Sequence, residues 1–274
     1  MTASLWYLEQ AFLHKEGDFM NNRVKDVLKR GGVVIGSFVG LNCPDLVEIM
    51  GLSGFDFCII DTEHGPMNPE SIQHLIRTAE LSGMTPIVRV TQGAETDILR
   101  VLDVGAQGIH VPQVNDCERA KKVAAWSKYF PEGTRGVALP RALGYGLRPL
   151  TEAMKEVNEE TLVITHCENV ACLDCLHEIA CLDGIDLIFV GPYDLSQSLG
   201  IPGQIDHPLM KETVARVLRI TRETGKPAGI FVTSVDEALR RIEEGFQYIA
   251  YSIDMILFSE ICKQTISGLK KKMS

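Results

Sequence analysis

The amino-acid sequence predicts one (β/α)8 barrel, the TIM-barrel fold, and three observations support this prediction. Eight short apolar runs rich in β-branched residues recur along the chain, and helix-like segments lie between them. The runs do not alternate strictly between polar and apolar residues, which is typical of strands buried on both faces of a parallel sheet. Eight strand–helix units within about 250 residues are what such a barrel requires.

The alternative architecture is a doubly wound open sheet. That fold favours a glycine-rich phosphate-binding turn directly after the first strand. The residues at the end of the first predicted strand and after it, Val39–Pro44, contain no such glycine pattern. The barrel is therefore the preferred architecture, and residues 1–274 are expected to form a single domain.

The predicted strands follow one another at spacings that leave room for a helix between most neighbours. They cover Val33–Val39, Phe55–Asp61, Pro86–Val90, Gly108–Pro112, Leu162–Cys167, Leu187–Gly191, Ala228–Val232 and Tyr248–Ile253. The predicted helices include Glu70–Ser82, Glu95–Gly105, Cys117–Lys128, Pro208–Thr224 and Val235–Gly245. Proline and glycine at several of these bounds agree with helix starts and ends.

Two segments fall outside this alternation. Residues 1–20 form an N-terminal extension, and a helix is predicted over Asn22–Arg30, closed by two glycines. We expect this helix to plug the bottom of the barrel. The second segment, Tyr129–Leu150, is rich in Gly, Pro and Arg and is long for a connection. Long ordered loops are usually functional, so this loop is expected to contribute to the site.

Composition excludes several classes of protein. The 274 residues carry a net charge of −9 without a Lys- or Arg-rich stripe, so nucleic acid is not an expected partner. No apolar segment reaches the length of a membrane span, and the N-terminal residues do not resemble a secretion signal. The eight cysteines are scattered, which favours reduced thiols in a cytoplasmic protein. Four of them, Cys167, Cys172, Cys175 and Cys181, are expected to face the core rather than bind zinc.

Polar residues at the ends of the predicted strands indicate where chemistry would occur, because barrel enzymes place their sites there. They are Asp61-Thr62-Glu63-His64-Gly65, Arg89, His166-Cys167-Glu168-Asn169 and Gly191-Pro192-Tyr193-Asp194. Lysine is missing from all eight ends, which disfavours a Schiff-base mechanism. Glu168 and Asp194 could instead supply hard oxygen ligands to a divalent metal, the natural electrophile for an enolate.

Five short motifs occur in an order and spacing found in a known family. They are IDTEHG at residues 60–65, PIVR at 86–89, LDVG at 102–105, GTRGV at 133–137 and FVGPYDLS at 189–196. Each motif is weak alone, but five in order are specific. On these motifs the sequence resembles the HpcH/HpaI aldolases, class II pyruvate aldolases related to citrate lyase, from about Lys25 to Met273.

This resemblance implies roles for individual residues. Glu168 and Asp194 match the family's metal ligands, and His64 matches its catalytic histidine. Asp103 matches the acid that pairs with that histidine, and Arg89 matches the arginine that holds the substrate oxygen. The implied metal is Mg²⁺, Mn²⁺ or Co²⁺.

The resemblance also places the substrate carboxylate against the backbone around Gly191 and Tyr193. One position departs from the family, which commonly has glutamine where this chain has His166. Since His166 and Glu168 are two residues apart on one strand, they should share the inward face. We expect His166 to donate a hydrogen bond to the oxo acid. The alternatives are metal ligation and an outward rotation at the strand end.

The residues themselves leave other roles open. Asp194 could cap the following helix, and Asp103 could be a surface or capping aspartate. His64 could brace a loop, and Arg89 could pair with a protein carboxylate rather than with a substrate. His110, inside the fourth predicted strand, is expected to be a satisfied core histidine.

The expected activity is that of a metal-dependent class II aldehyde-lyase. It would cleave or form a carbon–carbon bond in 4-hydroxy-2-oxo acids through a pyruvate enolate, with an aldehyde as the second product or substrate. His64 would move protons, Arg89 would stabilise the enolate oxygen, and Arg135 and Arg141 would close over the aldehyde. A citrate lyase-like or malyl-thioester lyase is one alternative, although no basic groove for coenzyme A is evident. A non-catalytic metal-binding barrel is another.

The C-terminal segment Ile253–Leu269 carries Met255, Ile256, Leu257, Ile261, Ile266 and Leu269, too much apolar surface for a solvated tail. The resemblance implies a homo-oligomer, a hexamer built from dimers that exchange a C-terminal helix. We therefore expect this segment to be buried between subunits.

Overall fold

The computed structural model describes residues 20–273. The N-terminal extension predicted over residues 1–20 therefore lies, apart from Met20, outside the described residues. Within the described part of the chain, eight parallel strands pair in chain order and the first pairs with the last, so the sheet closes into a barrel. The predicted (β/α)8 fold is confirmed.

The strands begin and end within two residues of their predicted bounds. They are β1 (Val34–Val39), β2 (Phe57–Asp61), β3 (Thr85–Arg89), β4 (Gly108–Val111), β5 (Leu162–Cys167), β6 (Leu187–Val190), β7 (Ala228–Val232) and β8 (Tyr248–Ile253). Nearly every strand residue is buried, because the barrel interior covers one face of the sheet and the helices cover the other.

Helices connect the strands and pack around the outside. They are α1 (Arg23–Lys29), α2 (Pro44–Leu52), α3 (Pro69–Leu81), α4 (Glu95–Asp103), α5 (Cys117–Ser127), α6 (Leu150–Glu160), α7 (Val170–Cys181), α8 (Pro192–Ser198), α9 (Pro208–Thr224), α10 (Val235–Glu244) and α11 (Asp254–Met273). The predicted helices between strands, here α3, α4, α5, α9 and α10, are confirmed. Proline begins α3 and α9, and left-handed glycines end α9 and α10, as helix termini favour.

The core has two apolar layers. The inner layer fills the barrel with aliphatic residues and with Phe38, Phe57, Phe189 and Tyr248. The outer, larger layer lies between the strands and the surrounding helices. The inner layer matters for function because it forms the floor beneath the carboxyl ends of the strands.

α1 closes the opposite end of the barrel, where the strands begin, as predicted. Its Val24 and Leu28 join the inner apolar layer beside Val34 and Phe57. Lys25 extends from the same helix to Asp186, with 2.9 Å between Nζ and Oδ1. The N-terminal helix therefore closes this end of the barrel with both apolar contacts and an ion pair.

Asn22 fixes the start of α1. Its Oδ1 accepts a hydrogen bond from the amide of Lys25 at 3.0 Å. Its Nδ2 donates to the carbonyl oxygens of Gln107 at 2.8 Å and Glu160 at 3.0 Å. One fully buried amide group thus caps the helix and ties it to the segments that lead into β4 and β5.

The long loop Tyr129–Leu150 lies at the α1 end of the barrel. α5 runs against the strands, so the loop that follows it begins at the end where strands begin. Arg141 pairs with Glu80 in the last turn of α3, and Arg135 Nη2 lies 2.8 Å from Asp103 Oδ1 at the end of α4. The expectation that Arg135 and Arg141 close over a substrate is therefore wrong within one chain.

The cysteines are all free. Cys167 and Cys172 face the core as predicted, while Cys175 is half-buried. Cys181 is exposed, so the expectation of a core position was wrong for this residue.

The C-terminal helix α11 lies almost entirely in solvent within a single chain. Of its residues only Asp254 is buried, and large side chains such as Phe258, Ile261 and Leu269 are more than half exposed. Among residues 20–273, no helix combines the length and apolar character that a membrane span needs.

Replacing Asn22 should test the role of α1 as the barrel plug. Asn22→Ala removes a helix cap worth about 1 kcal/mol and the two further hydrogen bonds that its Nδ2 donates to the carbonyls of Gln107 and Glu160. We expect the free energy of unfolding to fall by about 2–3 kcal/mol in urea titrations. Asn21→Ala, which removes the same group from the half-buried neighbouring position, is the control. Equal, small effects of both substitutions would contradict this role.

Candidate active site

Asp61, the last residue of β2, organises the turn that carries His64. Its carboxylate is 1% exposed. Oδ1 accepts hydrogen bonds from the amides of Glu63 at 3.1 Å and His64 at 3.4 Å. The turn folds back so tightly that a Cβ on Gly65 would lie 2.2 Å from the Asp61 carbonyl oxygen. Glycine is required here because any side chain would collide with the backbone.

Asp61 also holds Arg89 in a fixed orientation. The two residues are direct partners across β2 and β3. Arg89 Nε donates to Asp61 Oδ1 at 2.8 Å and Nη2 donates to Oδ2 at 2.6 Å, a bidentate pair. The guanidinium also lies 4.8 Å from the ring centre of Phe38. Burial would lower the pKa of Arg89, but its hydrogen bonds to Asp61 raise it, so the guanidinium remains protonated.

Glu63 and His64 continue from this pair toward the mouth of the barrel. Arg89 Nη1 lies 3.1 Å from Glu63 Oε2, and His64 Nε2 lies 4.0 Å from the same oxygen. Burial raises the pKa of Glu63, and Arg89 partly offsets this. The His64 side chain is 72% exposed, so its imidazole is open to a ligand in the mouth.

Glu168, directly after β5, is a buried carboxylate held by three groups. Its Oε1 accepts from the amide of Gln113 at 2.8 Å, and its Oε2 lies 2.9 Å from His166 Nδ1. Burial alone would raise the pKa of Glu168. His166, the Gln113 amide and Arg89 outweigh burial and lower it, so the carboxylate is ionised.

The end of β6 brings Gly191, Tyr193 and Asp194 to the same mouth. Gly191 is the N-cap of α8, and no side chain caps this helix. The capping role considered for Asp194 is therefore wrong, and its carboxylate is exposed in the first turn of α8. The Tyr193 ring packs edge-on against Phe231, with 6.0 Å between ring centres.

These residues fit a divalent cation. Glu168 is ionised, and Asp194 follows the neighbouring strand. A Cβ on Gly191 would lie 2.7 Å from Glu168 Oε2, so glycine leaves the space beside the carboxylate open. Among the described residues no cluster of three or more His, Cys, Asp or Glu is arranged for a metal. A cation would thus take two carboxylates from the protein and its other ligands from water and substrate, as Mg²⁺ commonly does.

His166 points into the barrel, as predicted, but it is not free to bind a substrate. Its Nδ1 faces Glu168 and its Nε2 lies 2.9 Å from His110 Nδ1. The ring is buried, with a side-chain exposure of 1%. Because both ring nitrogens already have protein partners, this geometry disfavours the expected hydrogen bond to the oxo acid. Metal ligation is disfavoured for the same reason, and the outward rotation is not observed.

Asp103 does not meet His64 within one chain. It is the last residue of α4, at the end of the barrel where strands begin, and it accepts from Arg135 at 2.8 Å. The pairing implied by the resemblance is wrong as an intrachain contact, because α4 carries Asp103 away from the carboxyl end of β3. The side chain that lies near His64 is instead Glu63.

The sequence interpretation missed three parts of this arrangement. Asp61 was visible at a strand end, but nothing in the pattern distinguished it from Glu63 as the partner of Arg89. The Gln113 amide could not be found, because it depends on a left-handed backbone with φ of 54°. His110 is the satisfied core histidine that the sequence predicts, but its partners Tyr248 and His166, which lie beneath Glu168 in the barrel, could not be found from the sequence.

Comparisons with known proteins agree on the family. The family model described as HpcH/HpaI aldolase/citrate lyase matches residues 34–260. A 2-keto-3-deoxy-L-rhamnonate aldolase from Escherichia coli (strain K12) is 32% identical over 253 residues, covering 92% of this chain and 94% of that protein.

Solved structures are similar as well. The HpcH/HpaI aldolase from Desulfitobacterium hafniense DCB-2 superposes with a TM-score of 0.86 at 29% identity, covering 90% of this chain and 96% of that one. The citrate synthase SbnG superposes with a TM-score of 0.83 at 34% identity, covering 90% and 97%.

A closed barrel with an acidic, arginine-containing site at the carboxyl ends of its strands is typical of (β/α)8-barrel enzymes. The chain belongs to the HpcH/HpaI aldolase/citrate lyase family, a family of class II aldolases and lyases.

Removing the Arg89 cation should destabilise the fold. Arg89→Met leaves the buried carboxylate of Asp61 and the half-buried carboxylate of Glu63 without their partner, and breaking a buried pair costs about 3–5 kcal/mol. We expect a loss of that size in the free energy of unfolding at pH 7. The loss should shrink as the pH falls, because protonated carboxyl groups tolerate burial. Arg77→Met, at an exposed position on α3, is the control. A decrease of less than about 1 kcal/mol in the free energy of unfolding at pH 7 would contradict the role of Arg89 as the partner of these two carboxylates.

Proposed function

We propose that the protein is a divalent metal-dependent aldolase that cleaves or forms a carbon–carbon bond in 4-hydroxy-2-oxo acids. The observation that carries this proposal is the meeting of an ionised, buried Glu168, an exposed Asp194 and a clamped Arg89 at one barrel mouth. Cleavage would release pyruvate and an aldehyde. Membership of an aldolase and lyase family supports this reaction class.

A divalent cation held by Glu168 and Asp194 would supply positive charge against the negative charge that develops on the 2-oxo oxygen. Glu168 suits this role because it remains ionised although it is 4% exposed. Asp194 suits it because its carboxylate is not used as a helix cap. Mg²⁺, Mn²⁺ and Co²⁺ are the cations to test.

Arg89 would donate to the same substrate oxygen. A guanidinium has five N–H donors, and Asp61 and Glu63 engage three of them. The bidentate pair with Asp61 fixes the plane of the remaining donors before a substrate binds. A donor oriented in advance costs no reorganisation when charge develops, which is the basis of oxyanion stabilisation.

His64 would move the proton of the 4-hydroxyl group. In the cleavage direction its imidazole accepts this proton as the aldehyde forms, the electron pair of the broken carbon–carbon bond passes to the oxo acid as its enolate, and the enolate carbon then takes up a proton to give pyruvate. The ring is exposed at the mouth, and Glu63 lies near enough to stabilise its protonated form. Asp103 cannot assist within one chain, so a role for it requires contact with another subunit.

The backbone around Gly191 and the side chain of Tyr193 would meet the substrate carboxylate. Tyr193 is about half exposed and stands against Phe231, and Gly191 lies beside Glu168. The relative from Escherichia coli is named for a 2-keto-3-deoxy sugar acid. Hydroxylated 2-oxo acids are therefore the first substrates to test. A cytoplasmic location is proposed because all eight cysteines are free.

The second candidate is a citrate-forming or citrate-cleaving reaction on a thioester. The 34% identity to the citrate synthase SbnG favours it. The citrate-type reaction would use the same acidic site as the aldolase reaction, but it requires a thioester substrate. The remaining alternative is not an enzyme but a barrel that binds a metal without catalytic activity.

Pyruvate release tests this proposal. Protein treated with EDTA and then supplied with Mg²⁺, Mn²⁺ or Co²⁺ should cleave at least one 4-hydroxy-2-oxo acid, and protein without metal should not. Glu168→Gln and Asp194→Asn should each lower turnover by at least about 10²-fold, the scale for losing one charge-stabilising group. Asp183→Asn, at an exposed position before β6, is the control.

Other outcomes separate the alternatives. Turnover that is insensitive to chelators would contradict the metal-dependent class. Activity only with acyl thioesters would identify the citrate-type reaction, and no turnover with any metal would indicate a non-catalytic barrel.

We further propose that the protein is a homo-oligomer in which α11 packs against another subunit, with a hexamer of exchanged dimers as the expected form. The support is the helix itself, whose apolar residues Met255, Phe258, Ile261, Ile266 and Leu269 are 44–63% exposed in one chain. Contiguous apolar surface of this kind marks an association surface.

Light scattering at micromolar concentration should report an oligomer. Phe258→Glu combined with Ile261→Glu should shift the mass toward the monomer, because burying two added charges is costly. Gln264→Glu combined with Ser267→Glu, at polar positions of the same helix, should shift it less. A monomeric wild-type protein would contradict the proposal.

A further inference from the structure

A chain of four side chains crosses the barrel interior beneath the site. Tyr248 Oη on β8 lies 2.8 Å from His110 Nε2 on β4. His110 Nδ1 lies 2.9 Å from His166 Nε2 on β5, and His166 Nδ1 lies 2.9 Å from Glu168 Oε2. All four residues are at most 4% exposed. The chain joins the proposed metal carboxylate to a tyrosine on the far side of the barrel.

The surroundings of this chain are apolar. The Phe189 ring centre lies 4.8 Å from that of His110 and 5.0 Å from that of His166. Phe38 meets His110 edge-on, and Phe57 stacks on Tyr248 at 4.0 Å. Because these rings fill the inner layer, each polar atom of the four side chains must form its hydrogen bond with another of the four rather than with solvent.

Hydrogen-bond counting then fixes where the protons lie. Glu168 is an acceptor, so His166 Nδ1 carries a hydrogen. With a neutral His166, Nε2 is an acceptor, so His110 Nδ1 must donate to it. Burial, and to a smaller extent Arg89, lowers the pKa of His110 well below its ordinary value, so this ring is neutral. His110 Nε2 is then an acceptor, and Tyr248 donates its hydroxyl hydrogen.

Only this arrangement gives every N–H and O–H of the four side chains an acceptor when both imidazoles are neutral. Each hydrogen points toward Glu168, so the three dipoles add at the carboxylate. Burial also raises the pKa of Tyr248 well above its ordinary value, so the phenol keeps its hydrogen.

We propose that His110 and Tyr248 are positioning residues that lock His166 in the tautomer whose Nδ1–H donates to Glu168, and thereby preorganise this carboxylate for a divalent cation. The proposal rests on the metal role proposed for Glu168. It gives His166 a function in place of the substrate contact that the sequence had suggested. Substituting a residue that orients a metal ligand commonly changes the metal affinity by about 10- to 100-fold.

The test compares His110→Leu with His110→Asn. Leucine removes the donor to His166, whereas the asparagine amide occupies the position of Nδ1 and can still donate. Phe57→Leu is the packing control, since it removes a ring that stacks on Tyr248 but breaks no hydrogen bond. Tyr248→Phe is a milder variant that keeps the ring and removes only the terminal hydroxyl.

The first readout is the tautomer of each histidine, measured without metal. Long-range proton–nitrogen correlation spectra of histidine-labelled protein resolve the ring nitrogens of the seven histidines. In the wild type, His110 and His166 should both carry hydrogen on Nδ1 alone. His110→Leu leaves His166 Nε2 without a donor, so this nitrogen should also carry a hydrogen in part of the molecules, while His110→Asn and Phe57→Leu should keep the ring in the form with hydrogen on Nδ1 alone.

The second readout is Mn²⁺ affinity, measured from free Mn²⁺ by electron paramagnetic resonance. His110→Leu should weaken binding by about 10- to 100-fold, and Tyr248→Phe by about 3-fold or more. His110→Asn should return affinity to within about 3-fold of the wild type. Phe57→Leu should leave it unchanged.

An unchanged His166 tautomer and unchanged Mn²⁺ affinity in His110→Leu would overturn the proposal. Equal losses in His110→Leu and His110→Asn would also overturn it, because packing rather than donation would then control the site. If the wild type bound no Mn²⁺, the proposed function would fail, and the tautomer spectra would still decide whether His110 sets the state of His166.

Discussion

The buried carboxylate of Glu168 is the constraint around which the barrel mouth is built. An isolated ionised carboxylate in an apolar interior costs several kcal/mol, and such a group ordinarily becomes protonated instead. Here a backbone amide, an imidazole and a nearby guanidinium together overcome the cost of burial. Each of these three groups is in turn held by a further feature of the structure. The Gln113 amide depends on a left-handed backbone, the Arg89 guanidinium depends on Asp61, and the His166 imidazole depends on His110.

Two charge systems therefore meet at this mouth without competing. In the first, Asp61 and Glu63 outnumber Arg89 and fix it by three hydrogen bonds or ion pairs. In the second, Glu168 receives hydrogen bonds from the Gln113 amide and from His166. Arg89 acts on both, since it lowers the pKa of Glu63 and of Glu168. The arrangement leaves a carboxylate, a guanidinium with unused donors and an exposed imidazole around one opening.

The fold was predictable from the sequence because the barrel depends on local patterns that repeat. The strand bounds agree within two residues, and the plug helix α1 lies where the glycines and Asn22 predicted. The inward direction of His166 followed from the two-residue period of a strand. The strand ends Asp61–Gly65, Arg89, Glu168 and Gly191–Asp194 meet at one mouth for the same reason. They all end parallel strands of one barrel.

The predictions that the structure does not support concern contacts that a sequence pattern cannot determine. Asp103 belongs to a motif of the family, yet the direction of α4 places it at the other end of the barrel. Arg135 and Arg141 follow a helix rather than a strand, and that position alone implies the end where strands begin. The sequence assigns His166 to the substrate because it replaces the family's usual glutamine, and no local pattern reveals its partner His110, which lies 56 residues earlier on another strand. Only the closed barrel brings these two rings together.

A crystal structure with Mn²⁺ and a non-reactive pyruvate analogue such as oxalate tests the central claim most directly. Anomalous scattering would locate the metal independently of the surrounding density. The account predicts one Mn²⁺ within bonding distance of a Glu168 oxygen and an Asp194 oxygen, with oxalate on the metal and an Arg89 N–H directed at an oxalate oxygen. A metal bound elsewhere, or oxalate bound at the mouth without metal, would contradict it.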